Sequence, residues 1–355
     1  LAGANNPVIL AGRASRSAEG WAQRIALAEK LDAPVLSSIK LAAAFPTTHR
    51  LHPIPPFQAL PKSAGELIKS ADVILALDWL DLAGTFKQAY AGGTVTAKVI
   101  HVSCDAHNHR GWSADYQGLP PADVYMLCET DAAVPLLLEA CAPRKSTVPL
   151  PARPALPPAP AAVALRTVAG ALEEATRGIA VTYTRLPLGW NGAYTQFTDP
   201  LSYIGHDGGA GVGSGPGMTV GAALALKGSG RVPIGLMGDG DFLMGNTAVW
   251  TAAHYGIPCL MLVCNNRSFF NDERHQGRMA INRGRPEENR WIGLRIGEPD
   301  VDIAAMARAQ GAEAIGPVET VADLVPAFQR GIAAVQAGKV CVIDARVLPG
   351  YDDRG

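Results

Sequence analysis

The chain has 355 residues, of which 48% are hydrophobic and 18% charged, which suits a sizeable apolar core and about two domains. Its net charge of −1 provides no basic footprint for nucleic acid or an anionic membrane. No apolar run approaches the roughly 18 residues of a membrane span, and no signal-peptide pattern opens the chain. The six scattered cysteines, without a CxxC pair, are typical of reduced thiols and predict a cytoplasmic protein.

The first part of the chain alternates short apolar runs with polar stretches of helical periodicity. After the first run, PVILAG, the stretch SAEGWAQRIALAEKL repeats apolar residues at helical spacing. Strands are predicted at 7–12, 34–38, 72–78, 97–105 and 123–130. Because such alternation favours a parallel sheet covered on both faces, residues 1–145 are predicted to form one Rossmann-like α/β domain.

Two features of this first domain raise the question of a bound ligand. The turn after the first strand reads GRASRS and departs from GxGxxG, so an FAD or ADP site there has only partial support. His107 and His109 stand two residues apart and offer a metal pair, against the simpler interpretation of ordinary loop histidines.

The second part of the chain repeats the alternation after a Pro- and Ala-rich stretch. Residues 146–165 are predicted to be an extended, semi-rigid linker. Strands are then predicted at 179–184, 233–239, 258–266 and 340–347, with helices near 216–227, 245–255, 302–310 and 320–336. The predicted fold is therefore two doubly wound parallel-sheet α/β domains joined by a Pro-rich linker, with residues 166–355 as the second domain.

Polar residues follow two of the predicted strands at their carboxyl ends. Asp239 lies between Gly238 and Gly240, and the pair Asn265–Asn266 ends the next strand. Such ends are where parallel sheets bind ligands, and oxygen atoms of Asp and Asn suit Mg²⁺. The glycines let the backbone approach a phosphate, and amides of the following helix would complete an anion site. The alternative is an ordinary turn followed by an ordinary loop.

The spacing of these residues resembles the thiamine diphosphate motif of the acetolactate synthase and pyruvate decarboxylase superfamily. That motif is GDG, some two dozen residues, then NN, and here 24 residues separate Gly240 from Asn265. The resemblance covers the chain in outline. It implies thiamine diphosphate and Mg²⁺ as cofactors, with Asp239, Asn266 and the backbone carbonyl of Ser268 as metal ligands.

A glycine-rich segment at 208–228, GGAGVGSGPGMTVGAALALKG, resembles the segment that precedes GDG in the same superfamily. The resemblance implies that Val212 wedges under the cofactor and bends it. It also implies that the carbonyl of Ala210 accepts a hydrogen bond from the aminopyrimidine, with Gly211 between these two residues. The alternative is a flexible glycine loop that caps the next helix.

The chain departs from the superfamily pattern in two respects. Asp241 stands where Ser is common, and a second carboxylate beside a diphosphate is expected to turn away or to serve as the helix N-cap. The superfamily also has an amino-terminal pyrimidine-binding domain, whose glutamate has no assignable counterpart here. The resemblance therefore implies that this domain comes from another chain or a removed N-terminal region, in a dimer or tetramer.

The stretch after the predicted metal ligands, residues 267–296, is polar and rich in arginine and is predicted to be an ordered loop over the site. Asp272, at the sixth position after Asn266, and Glu273 could return protons during catalysis. The alternative is a solvated acid paired with a nearby arginine. Phe269 and Phe270 could contact the cofactor or substrate, or pack in the core.

The resemblance implies thiamine diphosphate- and Mg²⁺-dependent decarboxylation or carboligation of a 2-oxo acid or related acyl donor, as in acetolactate synthase. Two alternatives remain open. One is a CoA-linked lyase or decarboxylase that uses Arg274, Arg278, Arg283 and Arg285 to bind the nucleotide. The other is a non-catalytic subunit that holds the cofactor.

Overall fold

The computed structural model describes residues 1, 3–105, 118–146, 148–206 and 211–349, so His107, His109 and Ala210 lie outside the described residues. The chain divides into two compact units. Unit 1 comprises Leu1–Leu156 with Asn191–Gly209, and unit 2 comprises Pro157–Trp190 with Ala210–Gly355. Each unit contains a five-stranded parallel sheet, which confirms the predicted fold class.

The strands of unit 1 are β1 (Pro7–Ala11), β2 (Val35–Ser37), β3 (Val73–Leu77), β4 (Lys98–Val102) and β5 (Val124–Met126). They form a sheet in the order β2-β1-β3-β4-β5. The helices are α1 (Ala18–Leu31), α2 (Lys62–Ser70), α3 (Leu82–Ala89) and α4 (Thr130–Ala140), and a 3₁₀ turn spans Gly192–Tyr194. Successive residues of β1 pack into two different hydrophobic cores. Val8 packs in the core that contains Ile68 and Phe86, and Ile9 packs in the core that contains Leu27 and Val134. Both faces of this sheet are therefore covered.

The segment Asn191–Gly209 groups with unit 1, which the sequence does not predict. The backbone amides of Thr47 and Phe197 each find a partner on the other residue, at 2.9 Å in both cases. The hydroxyl of Tyr203 donates to the carbonyl of Ile39 at 3.0 Å. These bonds join residues far apart in sequence, so no local sequence pattern predicts them. The predicted domain boundaries stay a prediction.

The strands of unit 2 are β6 (Val181–Arg185), β7 (Val232–Gly238), β8 (Leu260–Asn265), β9 (Glu313–Val318) and β10 (Cys341–Arg346). They form a sheet in the order β6-β7-β8-β10-β9. The helices are α5 (Leu165–Ala175), α6 (Ser214–Ala225), α7 (Asp239–Gly245), α8 (Ala248–His254), α9 (Phe270–Asn282), α10 (Ile303–Ala309) and α11 (Val321–Gln336). Strand β8 is buried along its whole length, as its unbroken apolar run predicts.

Three elements of unit 2 differ from the sequence-based expectations. Between β7 and β8 the structure has two helices, α7 and α8, which meet near Gly245, where the sequence predicts one helix near 245–255. A Cβ at Gly245 would lie 2.2 Å from the carbonyl oxygen of Gly213, so the chain turns at a close backbone contact. The predicted ordered loop begins with helix α9, whose first turn carries two acids that suit its dipole. Strand β9 escaped prediction because it is half-exposed and contains a Gly-Pro pair.

Across the described residues, no helix is both long and apolar enough to span a bilayer.

Candidate cofactor and metal site

A cleft of about 680 Å³, counted with its opening to solvent, lies in unit 2 beyond the carboxyl ends of β7 and β8. These two strands are parallel neighbours, with Gly238 opposite Cys264, so the residues that follow them lie side by side. Most of the residues expected at the site line the cleft: Val212, Gly238, Asp239, Gly240, Asp241, Asn266, Ser268, Phe269, Phe270 and Asp272. The other lining residues include Arg185, which sequence reasoning missed.

The carboxylate of Asp239 is buried at the head of α7, with 1% of the residue exposed. Its Oδ2 accepts a hydrogen bond from the amide of Ser268 at 3.0 Å. Burial raises the pKa of Asp239 to about 6, and hydrogen bonds from backbone amides oppose that rise. Within the described residues, no basic side chain forms an ion pair with this carboxylate. A buried carboxylate of this kind calls for a bound cation.

The two asparagines at the end of β8 have different environments. Asn265 is buried, its Nδ2 donates to Asp344 at 2.9 Å, and its Oδ1 accepts from the amide of Arg267 at 3.1 Å. Asn266 lines the cleft, and its Oδ1 accepts from the amide of Ser268 at 3.0 Å. Asn265 therefore shapes the turn, and the side chain of Asn266 lies at the cleft. Asp344 lies 79 positions away in the chain, too far for a sequence motif to reveal it.

The three predicted metal ligands lie together. The amide of Ser268 is 3.0 Å from an oxygen of Asp239 and 3.0 Å from the oxygen of Asn266, and Arg267 between them has a left-handed φ of 58°. A carboxylate, an amide oxygen and a backbone carbonyl form a donor set that suits Mg²⁺. Among the described residues no group of three His, Cys, Asp or Glu side chains is arranged for a metal, but this set needs only one such residue. The residues present therefore fit the implied ion.

Gly240 is required by the ring of Phe269. A Cβ on Gly240 would lie 2.3 Å from Cε1 of that ring, well inside contact distance. Phe269 thus packs on the backbone of the GDG turn while it also lines the cleft, and Phe270 lines the cleft at the first position of α9. Phe269 therefore packs against the protein and also faces the cleft, and its contact with a ligand stays a prediction.

Asp241 does not cap its own helix, so that expectation is wrong. Helix α7 already begins at Asp239, with Gly238 as its N-cap, which makes Asp241 the third helical residue. Its carboxylate accepts instead from the amides of Gly213 and Gly215, at 2.7 and 3.0 Å, at the start of α6. The same carboxylate pairs with Arg185. The other expectation, that this second acid is turned to another partner, agrees with these contacts.

The two candidate catalytic acids differ in exposure. Asp272 is exposed and lines the cleft. Glu273 is buried at 6% exposure, accepts a short hydrogen bond from the hydroxyl of Ser268, and lies 3.9 Å from Nε of Arg295. Helix α9 thus presents Asp272 at the cleft and uses Glu273 to fasten the turn that bears the predicted ligands.

The glycine-rich segment contributes Val212, which lines the cleft and is 41% exposed. This exposed apolar side chain is available to a ligand, as the resemblance implies. Gly211 precedes it, and its carbonyl accepts from the hydroxyl of Ser214 at 2.6 Å. Ala210, the third residue expected here, lies outside the described residues.

The turn after β1 in unit 1, considered for FAD or ADP, is closed by its own side chains. A Cβ on Gly12 would lie 2.1 Å from the carbonyl oxygen of Asp78, so the backbones already touch. The guanidinium of Arg13 pairs with Asp78 at 2.8 Å and also with Asp105. The first arginine of the GRASRS turn is therefore paired with carboxylates.

The amino end of α1 is similarly satisfied. Ser17 caps the helix by accepting from the amide of Gly20 at 3.0 Å. Asp131 accepts from the amide of Ser15 at 2.7 Å and from Arg24 at 2.9 Å. A carboxylate of the protein thus occupies the surroundings in which a nucleotide phosphate would be expected.

Two family models match this chain. The model described as "Thiamine pyrophosphate enzyme, C-terminal TPP binding domain" matches residues 188–345, and "Thiamine pyrophosphate enzyme, central domain" matches residues 1–115. The chain belongs to the thiamine pyrophosphate enzyme family. The first match includes most of the cleft residues, from Leu188 to Asp272, so this family's cofactor-binding domain is the one that carries the metal-type donor set.

Relatives of this chain include a benzoylformate decarboxylase from Pseudomonas aeruginosa, 26% identical over 94% of this chain and 60% of its own length. A probable sulfoacetaldehyde acetyltransferase from Rhizobium meliloti is 46% identical over 22% of this chain and 13% of its own length. The present chain thus spans about three-fifths of the length of the curated decarboxylase.

Solved structures show the same fold. A thiamine diphosphate-dependent 4-hydroxybenzoylformate decarboxylase from Rhodococcus jostii has a TM-score of 0.72 and 23% identity, with 98% of this chain and 62% of that one covered. A benzoylformate decarboxylase from Polynucleobacter necessarius has a TM-score of 0.73 and 21% identity, with 99% and 64% covered. At these identities the likeness concerns the fold alone.

Proposed function

We propose that this chain provides the diphosphate- and metal-binding half of a thiamine diphosphate-dependent active site that acts on a 2-oxo acid. One observation carries the proposal. The buried carboxylate of Asp239 faces a cleft with Asn266 and Ser268 beside it, and has no basic partner within the described chain. A divalent cation would neutralise this carboxylate and bind the diphosphate oxygens as well.

The chain's own residues would divide the work as follows. Asp239, Asn266 and the carbonyl of Ser268 would hold Mg²⁺, while Gly238 and Gly240 would let the backbone approach the diphosphate. Gly211 and Val212 would support the organic part of the cofactor. When bound, thiamine diphosphate supplies a nucleophilic carbon and an electron sink.

The reaction that we propose first is decarboxylation, in which a 2-oxo acid loses CO₂ and gains a proton to give an aldehyde. The curated decarboxylase that aligns with 94% of this chain supports this choice. Asp272, exposed at the cleft, would deliver that proton to the reacting carbon. Carboligation, as in acetolactate synthase, would use the same residues with a second carbonyl compound in place of the proton.

A pyrimidine-binding domain would supply the glutamate that completes the site. A dimer or tetramer and a cytoplasmic location belong to the same proposal. FAD and ADP do not, because Arg13 and Arg24 are already paired with carboxylates in unit 1.

Titration calorimetry tests the proposal directly. We expect the chain to bind thiamine diphosphate only when Mg²⁺ is present, and Asp239→Ala to abolish that binding. Release of CO₂ from benzoylformate and 4-hydroxybenzoylformate, measured with and without a supplied pyrimidine-binding domain, then tests the chemistry. Cofactor binding without CO₂ release from any 2-oxo acid or with any partner would favour a non-catalytic, cofactor-holding subunit.

A second candidate is a CoA-linked lyase or decarboxylase, and one observation favours it. Arg274, Arg278, Arg283 and Arg285 are exposed on and just after α9, the helix whose first turn carries the cleft residue Asp272. Such a group could bind the phosphates of a CoA ester. Calorimetry with an acyl-CoA decides between the candidates, since the 2-oxo acid proposal predicts no saturable heat.

A further inference from the structure

The side chains of Arg185 and Asp241 form a buried ion pair at the wall of the cleft. Arg185, the last residue of β6, is 4% exposed, and Asp241 in α7 is 8% exposed. Both Nε and Nη2 of the guanidinium lie 3.2 Å from Oδ2 of the carboxylate. The two residues are 56 positions apart, and both line the cleft.

The other oxygen of this carboxylate holds the glycine-rich segment. Oδ1 of Asp241 accepts from the amide of Gly213 at 2.7 Å and from that of Gly215 at 3.0 Å. These two amides stand at the start of α6, where four amides lack partners within the helix. One carboxylate therefore fastens β6, α7 and the beginning of α6 together.

The close contact with Asp241 requires glycine at two positions of this segment. A Cβ on Gly215 would lie 2.7 Å from Oδ2 of Asp241, so a larger residue would push the carboxylate away. Gly213 has a φ of 95°, a conformation that residues with a side chain rarely adopt. The backbone thus approaches Asp241 as closely as glycine allows, and Val212 lies one residue before the first bonded amide.

We propose that Arg185 and Asp241 are a positioning pair that holds the segment 211–215, and with it Val212, at the cofactor cleft. Arg185 has a second effect, because its positive charge offsets a carboxylate that would otherwise repel the diphosphate. The choice of thiamine diphosphate as ligand rests on the proposed function. The hold on the segment does not, since it is built from contacts within the chain.

Amide hydrogen exchange of the cofactor-free chain tests the hold. In Asp241→Ser, the amides of Gly213 and Gly215 should exchange about tenfold or more faster, because charge-assisted bonds are lost. The amide of Val263 in β8 serves as the internal reference. Asp241→Asn keeps an acceptor oxygen and should restore most of the protection. Unchanged exchange at both glycines would overturn the proposal.

A matched control uses Asp323, an exposed acid in the first turn of α11 that accepts a hydrogen bond from Thr320 at 2.6 Å. Asp323→Ser should leave the exchange of Gly213 and Gly215 within twofold of the wild type. An equal acceleration in this variant would mean that any loss of a helix acid loosens unit 2, which also overturns the proposal.

Binding of two ligands tests whether the hold serves the cofactor. With Mg²⁺ present, Asp241→Ser should weaken binding of thiamine diphosphate about tenfold, but binding of inorganic diphosphate less than threefold, because only the former has an organic part for Val212 to support. Equal losses would overturn the positioning role. If the wild type binds neither ligand, the proposed function fails, whereas the exchange result still decides the hold.

A comparison of unfolding temperatures tests the pair even if Asp241→Ser does not fold. Arg185→Met leaves a buried carboxylate unpaired, so its unfolding temperature should fall below that of the double variant Arg185→Met/Asp241→Asn. The double variant removes both charges and keeps an oxygen for the two glycine amides. If the single variant is as stable as the double one, the pair does not act as a unit and the proposal fails.

Discussion

The two units present similar sheets, and both pair acids with arginines near the carboxyl ends of their strands, but Asp239 of unit 2 has no such partner among the described residues. In unit 1, Arg13 pairs with Asp78 and Asp105, and Arg24 pairs with Asp131. In unit 2, Asp239 accepts only backbone amides among its described hydrogen bonds, and burial raises its pKa to about 6. In the first arrangement each of these acids has an arginine partner, whereas the second leaves a buried carboxylate without a basic partner in the described part of the chain. The fold alone therefore does not make a ligand site.

The first way to test this comparison is Asp239→Asn, which should have the largest effect. Mg²⁺-dependent binding of thiamine diphosphate should weaken more than about a hundredfold. Mutation of a residue that only hydrogen-bonds to a metal ligand already lowers metal affinity about 10–100-fold, and Asp239 is itself a proposed ligand. The metal-free variant should be more stable than the wild type at pH 7, because a buried charge without a counter-ion is gone.

Calorimetry and thermal unfolding measure these two effects of Asp239→Asn, with Asp323→Asn as the control for a helix acid elsewhere in unit 2. Lower stability together with unchanged affinity would mean that the carboxylate is structural. The comparison between the units would then collapse.

The second test is Arg24→Met in unit 1, where the charge already has its partner. Arg24 is 3% exposed, and its guanidinium also donates to the carbonyl of Ala44 at 3.0 Å. Loss of these bonds should cost about 2–4 kcal/mol of unfolding free energy. Affinity for thiamine diphosphate with Mg²⁺ should stay within twofold, as urea unfolding and calorimetry on one preparation would report. Saturable binding of FAD or ADP by the wild-type chain would contradict the inference that the turn after β1 is closed by its own side chains.

Long-range pairs mark the limit of what the sequence could predict. Asp239 and Asn266 were placed together because buried runs end just before each of them and parallel strands end at one edge. Arg185, in contrast, reaches Asp241 across 56 positions, and Asp344 reaches Asn265 across 79. Such partners leave no periodicity or spacing in one sequence. The same limit explains the wrong N-cap prediction for Asp241, whose carboxylate binds amides of another helix.

The third test concerns pH and a buried histidine of unit 1. His52 is fully buried, its Nε2 bonds Ser37 at 2.8 Å, and burial, with smaller effects of Arg153 and His49, lowers its pKa to about 3. Below about pH 6.5 the unfolded chain therefore binds more protons at His52 than the folded chain does. The contribution of His52 to the free energy of unfolding is fully present above that pH and declines as the pH falls toward about 3. The decline should be about 1.4 kcal/mol for each pH unit.

His52→Gln keeps a polar group near Ser37 and removes the titration. Urea unfolding of both proteins between pH 7 and 5 should give a shallower decline for the variant. Since other groups titrate equally in both proteins, only the difference in slope counts, and parallel slopes would contradict a neutral buried His52. The result sharpens the comparison, because burial in unit 1 disfavours a positive charge just as burial in unit 2 disfavours the negative charge of Asp239.

The smallest expected effect comes from Glu273→Gln, paired with Asp272→Asn on the same helix. Glu273 is buried against the hydroxyl of Ser268, whereas Asp272 is exposed at the cleft. Glu273→Gln should lower the unfolding free energy by about 1 kcal/mol, since a charge-assisted hydrogen bond becomes a neutral one, and should change cofactor affinity less than threefold. Asp272→Asn should leave both quantities unchanged and slow CO₂ release instead. The reverse outcome, slow turnover in Glu273→Gln at unchanged stability, would make the buried acid the proton carrier in place of Asp272.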